Sequence, residues 1–416
     1  MNPNTIVVLN DLRGVPVLSA LKLRRSIPRS RLVAHISLFC NREYADYTNN
    51  TWKLVLKFFL VTFFNLKVVR SYATDLEETE LTGVLSSLVS ITEDSMATAA
   101  DYPAEYEQLF KLGLGSKDLI DYISKRQLQS VFLFNGRGAS CLLLTKFCVR
   151  QGLKVVYYEY AAHGNGFRLF PVSPHASRQL GLLLYDYYRH GLFNFADLRV
   201  AALDFRHNKL HSKFSSDNKL APSEMHDIVI FLGSDYEYAW LDTEITGTIW
   251  NGNVSFCQSV FRKYGKGKRY AIRCHPNSIR DPSWVKLKKD LQIVAASQGE
   301  NVRVYGPDEK IDSHELVRES ELIVTAYSTI SMDAIMMGKS VDIMGDSDIK
   351  YLYEDVWMNA KEIGIGEAIV EAFSLGHNFL VFRFSLIEKI VCRFLYYIQR
   401  SFDKTHFWKV SKGWKI

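Results

Sequence analysis

The chain lacks closely spaced cysteines. Its six cysteines are spread over 416 residues without a C-x-x-C element, which excludes the usual ligand spacing of a zinc site and the framework of a small disulfide-rich protein. We therefore expect reduced thiols. We also expect no tightly bound cofactor or metal; the expectation about metal rests on reading no aspartate pair of the D-x-D kind at a strand end in the second half.

The chain has no apolar run that is long enough to cross a bilayer. Its most apolar stretch, residues 52–64, is interrupted by Lys53 and Lys57 and falls short of the roughly 20 residues that a spanning helix needs. Near the start, the apolar residues 6–9 are followed at once by two polar residues, which differs from a signal peptide. We expect a cytoplasmic protein that begins with a buried strand.

Positive charge is concentrated in residues 376–416. This segment has eight Lys or Arg against Glu388 and Asp403, a net charge of +6 that equals the formal charge of the whole chain. The remainder is close to neutral, so we expect no nucleic-acid partner. Residues 384–398 show a helical pattern with a broad apolar face. Two alternatives stay open: the helix lies on the anionic inner face of the cytoplasmic membrane, or it packs across a domain junction.

Predicted strands and helices alternate along the chain, a rhythm that indicates parallel sheets. In the first half the predicted helices include residues 103–112 and 116–124, and a helical pattern covers residues 175–214. In the second half we predict strands at 228–232, 269–274, 302–305, 322–325 and 340–344, and helices at 254–264, 282–298, 314–319 and 329–337. We predict an α/β fold of two Rossmann-like domains that face a cleft. The N-terminal, acceptor-side domain spans residues 1–214, a linker spans 215–226, and the C-terminal, nucleotide-binding domain spans 227–375. Residues 376–416 form the basic aromatic tail.

Two polar segments follow predicted strands of the first half. The segment 135–138 contains two glycines around Arg137, whose guanidinium can grip a phosphate or a sugar carboxylate; the glycines alone indicate no more than a turn. The segment 159–168 is predicted to be a loop with Glu159 and His163, each a candidate base for taking a proton from a hydroxyl. Both residues are also compatible with capping or surface roles.

In the second half, two predicted strands end in phosphate-binding chemistry. Arg273 and His275 precede Pro276 and Asn277, and an imidazole N–H can stabilise charge that develops on a leaving phosphate. Residues 327–333 close another strand, and the hydroxyls and free N–H groups of this turn can reach the same phosphate. We expect the two segments to meet across neighbouring strands. The binding residues predicted for this half are Arg273, His275, Pro276, Asn277, Gly306, Pro307, Tyr327, Ser328, Thr329, Ser331 and Asp333.

The order of these motifs resembles the bacterial capsule and surface polysaccharide biosynthesis family. The motifs are Phe231-Leu232-Gly233-Ser234-Asp235-x-Glu237, Ile272-Arg273-x-His275-Pro276-Asn277, Tyr305-Gly306-Pro307, Glu315-Leu316, and Ser328-Thr329 through Asp333-Ala334 to Gly338-Lys339. The His-Pro and Ser/Thr motifs are similar to those of bacterial sialyltransferases and polysialyltransferases. The sequence departs from the family pattern at Asp333, where Glu is usual, and at Gly233-Ser234, where two serines are usual.

The resemblance implies a Kdo-transferase-like glycosyltransferase of GT-B type. It further implies that His275, Pro276, Ser328 and Thr329 bind the phosphate of a CMP-activated sugar. We expect metal-independent, inverting transfer from this donor to a glycan or a lipid-linked acceptor, in which Glu159, His163 and His275 are catalytic. Two alternatives stay open: a nucleotide-polyol phosphotransferase of cell-surface polymer synthesis, and a non-catalytic component of glycan assembly.

Overall fold

The computed structural model describes residues 5–10, 14–27, 30–35, 57, 60–70, 72–160, 166–190, 225–247, 250–347, 350–351 and 381–383. The chain forms two compact units, each assembled from separate stretches of sequence. Unit 1 contains Met1–Leu88, Thr98–His175 and Leu380–Ile416, and unit 2 contains Val89–Ala97 and Ala176–Phe379.

The described strands are β1 (Thr5–Val8), β2 (Arg31–His35), β3 (Lys67–Val69), β4 (Ser130–Phe134), β5 (Lys154–Tyr160), β6 (Gly166–Phe170), β7 (His226–Phe231), β8 (Tyr270–Arg273), β9 (Val302–Tyr305), β10 (Ser320–Thr325), β11 (Ser340–Ile343) and β12 (Val381–Arg383). The described helices are α1 (Gly14–Ser26), α2 (Thr82–Thr92), α3 (Pro103–Ser124), α4 (Leu142–Arg150), α5 (Ser177–Arg189), α6 (Asp235–Tyr238), α7 (Thr243–Thr246), α8 (Gly252–Tyr264), α9 (Trp284–Gln298), α10 (Ser313–Arg318) and α11 (Ile330–Met336).

Unit 1 is built on a sheet with the strand order β12-β6-β5-β4-β1-β2-β3. Five neighbouring strands are parallel, in the sheet order β5-β4-β1-β2-β3. At the other edge, β6 is antiparallel to β5, and β12 is antiparallel to β6. Alternate residues of β1 enter different cores: Val7 belongs to one buried cluster, and Ile6 and Val8 belong to the other. Apolar packing therefore covers both faces of this sheet, as parallel strands require.

Unit 2 is built on a five-stranded parallel sheet with the order β11-β10-β7-β8-β9. Helices α8 and α9 pack beside each other over its buried cluster, which includes Ile230, Val260 and Leu291. Because all five strands are parallel, the loops that follow them lie at one edge, where open α/β sheets bind ligands. The two sheets confirm the predicted α/β class.

Three predictions about local structure were wrong. The predicted helices 103–112 and 116–124 form the single helix α3, because Gly113 is a packing contact: an added Cβ would lie 2.7 Å from Leu76 Cδ1. The predicted loop 159–168 instead contains parts of β5 and β6, with Glu159 opposite Arg168 in the hairpin. The sheets are also not all parallel, since β6 and β12 run antiparallel.

The division between the units differs from the predicted boundaries. It falls between His175 and Ala176, and residues 89–97 also join unit 2. Most of the predicted linker 215–226 lies outside the described residues. In the tail, Val381–Arg383 forms an edge strand of unit 1. The predicted helix 384–398 lies outside the described residues, so its contact with a membrane stays a prediction. Within the described part, no helix combines the length and the apolar character needed to span a bilayer.

Candidate functional site

The carboxyl edge of the unit 2 sheet brings three polar segments together. Strand β8 leads into His275, β7 leads into Ser234, and β10 leads into the turn that contains Ser328. The predicted meeting across neighbouring strands needs a correction, because β7 lies between β8 and β10. Because Ser234 follows the middle strand β7, it lies between the two predicted motifs. These motifs are two strand spacings apart, with each spacing roughly 4.8 Å.

Two hydrogen bonds determine the protonation pattern of His275. The backbone N–H of Asn277 donates to His275 Nδ1 over 3.2 Å, and Ser234 Oγ lies 2.9 Å from the same nitrogen. An N–H donor requires an acceptor, so Nδ1 has no proton and Ser234 also donates to it. Burial, followed by the charge of Arg273, lowers the pKa of His275 below 6.5. The network thus assigns a neutral imidazole whose Nε2–H is available to a ligand.

Ser234 is held firmly against this imidazole. It is fully buried and lies immediately before α6. Sequence reasoning quoted Ser234 within a family motif but did not include it among the site residues. No local pattern distinguishes it from a simple capping serine, since its contact with His275 joins positions 41 residues apart.

The Ser/Thr turn after β10 is internally hydrogen-bonded. Thr325 Oγ1 accepts from the backbone N–H of Ser328 over 3.1 Å, and Ser331 Oγ donates to the Ser328 carbonyl over 2.9 Å. Ser331 is buried, whereas Thr329 is exposed and starts α11 without a side-chain cap. Thr329 is therefore the most exposed of the three hydroxyl residues 328, 329 and 331 of this turn.

Other predicted phosphate-site residues support the backbone. Arg273 is buried, donates from Nη1 to the Gly306 carbonyl, and keeps an enclosed Nε without a partner. Pro276 starts the 3₁₀ turn Pro276–Arg280, which is the abrupt exit that proline predicts. Pro307 is buried beside Gly306. The interaction of these residues with a nucleotide stays a prediction.

Asp333 faces a neighbouring helix. Its carboxylate is buried, and His314 Nε2 of α10 lies 3.5 Å from Asp333 Oδ2. The predicted contact of Asp333 with a ribose is not tested. The described contact shows that Asp333 also joins α10 to α11.

Tyr327 belongs to an aromatic cluster that sequence reasoning did not predict. Its ring stacks on Tyr238 with centroids 4.7 Å apart, and Trp250 meets it edge-on at 5.6 Å. Trp250 Nε1 donates to Asp235 over 2.9 Å. These residues come from three separate segments, and so their grouping has no signature in the local sequence.

A second polar cluster lies at the carboxyl ends of β4 and β5 in unit 1. Asn135 Nδ2 donates to Glu159, while Asn135 Oδ1 lies 3.0 Å from His175 Nε2. Arg137 donates from Nε to Ser86 Oγ over 2.7 Å. Burial, followed by the charge of Arg137, lowers the pKa of His175 to about 3. The structure thus connects Glu159 to the Arg137 backbone N–H through Asn135, and it adds Asn135 and His175, which sequence reasoning did not select.

The prediction for His163 lies outside the described residues. A D-x-D element, Asp346-Ser347-Asp348, follows β11, so the expectation that no such element stands at a strand end in the second half was wrong. Asp348 is not among the described residues. Within the described part, no group of three or more His, Cys, Asp or Glu side chains is arranged to hold a metal.

No protein-family model matches the chain, and no curated protein matches it. Similar solved structures include two from Thermosulfurimonas dismutans KpsC. The β-Kdo 2,7 transferase shares 11% identity, with a TM-score of 0.36 over 62% of this chain and 80% of that chain. The β-Kdo 2,4 transferase shares 13% identity, with a TM-score of 0.37 over 77% and 87%. UDP-GlcNAc 2-epimerase from Neisseria meningitidis shares 11% identity, with a TM-score of 0.24 over 90% and 96%.

Proposed function

We propose that this protein is a glycosyltransferase that uses a nucleotide-activated sugar, with a CMP-sugar favoured, and extends a bacterial surface glycan such as capsule or lipopolysaccharide. The observation that carries the proposal is the hydrogen-bonded His275 at the carboxyl edge of unit 2, where Nε2–H is the remaining donor. The motif resemblance at the same residues supports it.

In the proposed reaction, unit 2 binds the donor phosphate. As the bond from the anomeric carbon to the phosphate oxygen breaks, negative charge grows on that oxygen, and His275 Nε2–H stabilises it. This imidazole N–H is fixed in place before the reaction, so the protein does not have to reorganise as the transition state forms. The Thr329 hydroxyl supplies a second hydrogen bond to the phosphate. The buried positive charge of Arg273 gives an electrostatic potential that favours the negative charge of the leaving group.

Glu159 is the proposed base. Its carboxylate takes the proton of the acceptor hydroxyl, whose oxygen attacks the anomeric carbon in a single inverting displacement. Arg137 is proposed to bind a carboxylate or phosphate group of a substrate. This scheme needs no metal, since protein N–H groups and positive side chains stabilise the leaving phosphate.

The test is to incubate the purified chain with CMP-, CDP-, UDP- and GDP-linked donors and to measure nucleotide release. We expect a CMP-sugar to be consumed with release of CMP, and we expect His275→Ala to abolish turnover while the melting temperature stays near that of the wild type. His190→Ala, at an exposed position immediately after α5, is the matched control and should remain active.

Each alternative predicts a different result, the first in the same assay and the second in a thermal-shift measurement. Turnover of a CDP-polyol without turnover of any CMP-sugar would assign a phosphotransferase. A chain whose melting temperature is not raised by any nucleotide would be a non-catalytic component, because a ligand that binds only the folded state must stabilise it.

A further inference from the structure

Asn135 contacts two titratable side chains of unit 1, Glu159 and His175, through one amide group. Its orientation follows from its partners. The Nδ2 group donates to the Glu159 carboxylate, and Oδ1 accepts from the Arg137 backbone N–H over 3.3 Å. Exchanging the amide oxygen and nitrogen would put like groups together at both contacts. The network therefore assigns this orientation of Asn135.

The orientation of Asn135 also determines the tautomer of His175. Asn135 Oδ1 is an acceptor, so His175 Nε2, which lies 3.0 Å away, has the proton. The pKa of His175 is lowered to about 3 by burial and by Arg137, so the ring is neutral near pH 7. Its Nδ1 therefore has a lone pair. Among the described residues Nδ1 has no hydrogen bond, and it is not enclosed, so it is accessible. His175 thus offers an acceptor to a ligand.

The backbone around Asn135 is built to hold this arrangement. Asn135 has a φ of 63° and Gly136 has a φ of 81°. A Cβ at Gly136 would lie 2.4 Å from Tyr157 Cε1. Ser87 Oγ accepts from the Ala139 N–H over 2.9 Å. A strained turn that its neighbours fix on several sides is typical of a pre-organised site.

We propose that Glu159 and His175 form the acceptor subsite for a sugar or polyol, and that Asn135 is its positioning residue. The reacting hydroxyl gives its proton to Glu159, while its oxygen forms the new bond to the anomeric carbon. The electron pair of the broken bond leaves with the donor phosphate. A second hydroxyl of the acceptor donates to His175 Nδ1. This inference rests on the proposed transfer reaction and names the class of acceptor that unit 1 takes.

The test compares Asn135→Gly with Asn65→Gly, using CMP-Kdo as donor and methyl glycosides as minimal acceptors. Both asparagines have left-handed backbones in unit 1, with φ values of 63° and 52°, so glycine removes each side chain without backbone strain. For Asn135→Gly we expect at least a 30-fold loss of kcat/KM for the acceptor, with less than a twofold change in slow donor hydrolysis by water. Asn65→Gly should resemble the wild type.

The pH–rate profile separates positioning from a purely structural role. A hydrogen bond to a carboxylate stabilises its charged form, so Asn135→Gly should move the acid limb of the profile, which reports the base, to higher pH. His175→Gln keeps an amide donor for Asn135 but lacks the ring Nδ1. It should keep the wild-type acid limb and raise the acceptor KM, whereas His175→Leu should change both.

The outcomes distinguish this inference from the proposed function. A wild-type chain that consumes no nucleotide-sugar donor would remove the transfer reaction itself. If the wild type consumes donor but Asn135→Gly keeps its acceptor kcat/KM and its acid limb, the acceptor subsite is wrong and the donor site stands. Equal losses of transfer and donor hydrolysis in Asn135→Gly would also overturn it, since they indicate general damage to the fold.

Discussion

The two units each hold a neutral imidazole at the carboxyl edge of a sheet, and the two rings have opposite polarity. In unit 2, His275 Nδ1 accepts from the protein, and Nε2–H is left for a ligand. In unit 1, His175 Nε2–H donates to Asn135 Oδ1, and the Nδ1 lone pair is the acceptor that remains for a ligand. One ring therefore presents a donor, which suits an anion, and the other presents an acceptor, which suits a hydroxyl.

The difference between the two rings comes from their partners. Near pH 7, burial keeps both neutral by lowering their pKa values, and a neutral ring has one donor and one acceptor. A single fixed contact then decides which nitrogen is available: the Asn277 N–H in unit 2 and the Asn135 carbonyl oxygen in unit 1. The same residue type thus acquires opposite chemistry from one neighbour.

The largest expected effect tests the donor character of His275. The amide nitrogen of Gln can lie near the position of Nε2, whereas the shorter Asn side chain places its amide near Nδ1. We expect His275→Asn to lower kcat by about 100- to 1,000-fold, the usual cost of losing one donor to developing charge. His275→Gln should retain at least tenfold more activity than His275→Asn. The reverse ranking in steady-state assays would contradict the assigned tautomer.

The next effect tests the turn that holds the unit 1 ring. Gly136→Ala adds a methyl group against Tyr157 in a left-handed conformation, so it should lower the free energy of unfolding by about 3 kcal/mol. Gly152→Ala is the matched control, because Gly152 has a φ of 66° and open space. Its expected loss is about 1 kcal/mol. Urea denaturation measures both, and equal losses would show that the turn is not tightly packed.

The third effect tests the neutrality of His175 through stability. The unfolded histidine gains a proton near pH 6.5, whereas the folded ring stays neutral down to about pH 3. Between these values the unfolded state binds more protons, so stability falls as pH falls, by roughly 1.4 kcal/mol per pH unit from this residue. His175→Gln does not titrate. Denaturation of both proteins at pH 7, 6, 5 and 4.5 should show a steeper loss in the wild type, and parallel curves would refute the lowered pKa.

The smallest effect tests Ser234. Ser234→Ala removes one donor to His275 Nδ1, but the Asn277 N–H still fixes the tautomer. We therefore expect about a tenfold loss of kcat, with little change in donor KM. Ser259→Ala, which removes a hydroxyl inside α8, should have no effect on kcat. A loss as large as that of His275→Asn would mean that Ser234 itself contacts the substrate.

Sequence periodicity predicted most of the elements between residues 226 and 343. Each strand and each helix predicted there was found within two residues of the expected bounds, and β9 matched at both ends, whereas most of the helix predicted over residues 175–214 lies outside the described residues. Buried parallel strands separated by amphipathic helices give a strong local signal. The position of His275 and of the Ser/Thr turn at strand ends followed from this pattern.

Non-local pairing explains what the sequence did not predict. The antiparallel pairing of β6 with β12 joins residues more than 200 positions apart, and no local pattern encodes it. One helix was predicted to end at residue 112 and another to begin at residue 116, but tertiary packing retained α3 as one helix. The tautomers of His175 and His275 depend on single contacts within each unit. Residue type alone therefore predicted an imidazole, but not whether its available nitrogen is a donor or an acceptor.

Because of strand β12, the two sheets are completed at different stages of synthesis. The ribosome completes every described strand of unit 2 by Ile343, whereas the described sheet of unit 1 receives its last strand, Val381–Arg383, some forty residues later. Until then, the edge of β6 has unpaired backbone groups, which can template aggregation. We therefore expect the nascent chain to depend most on chaperones in the interval between these two points.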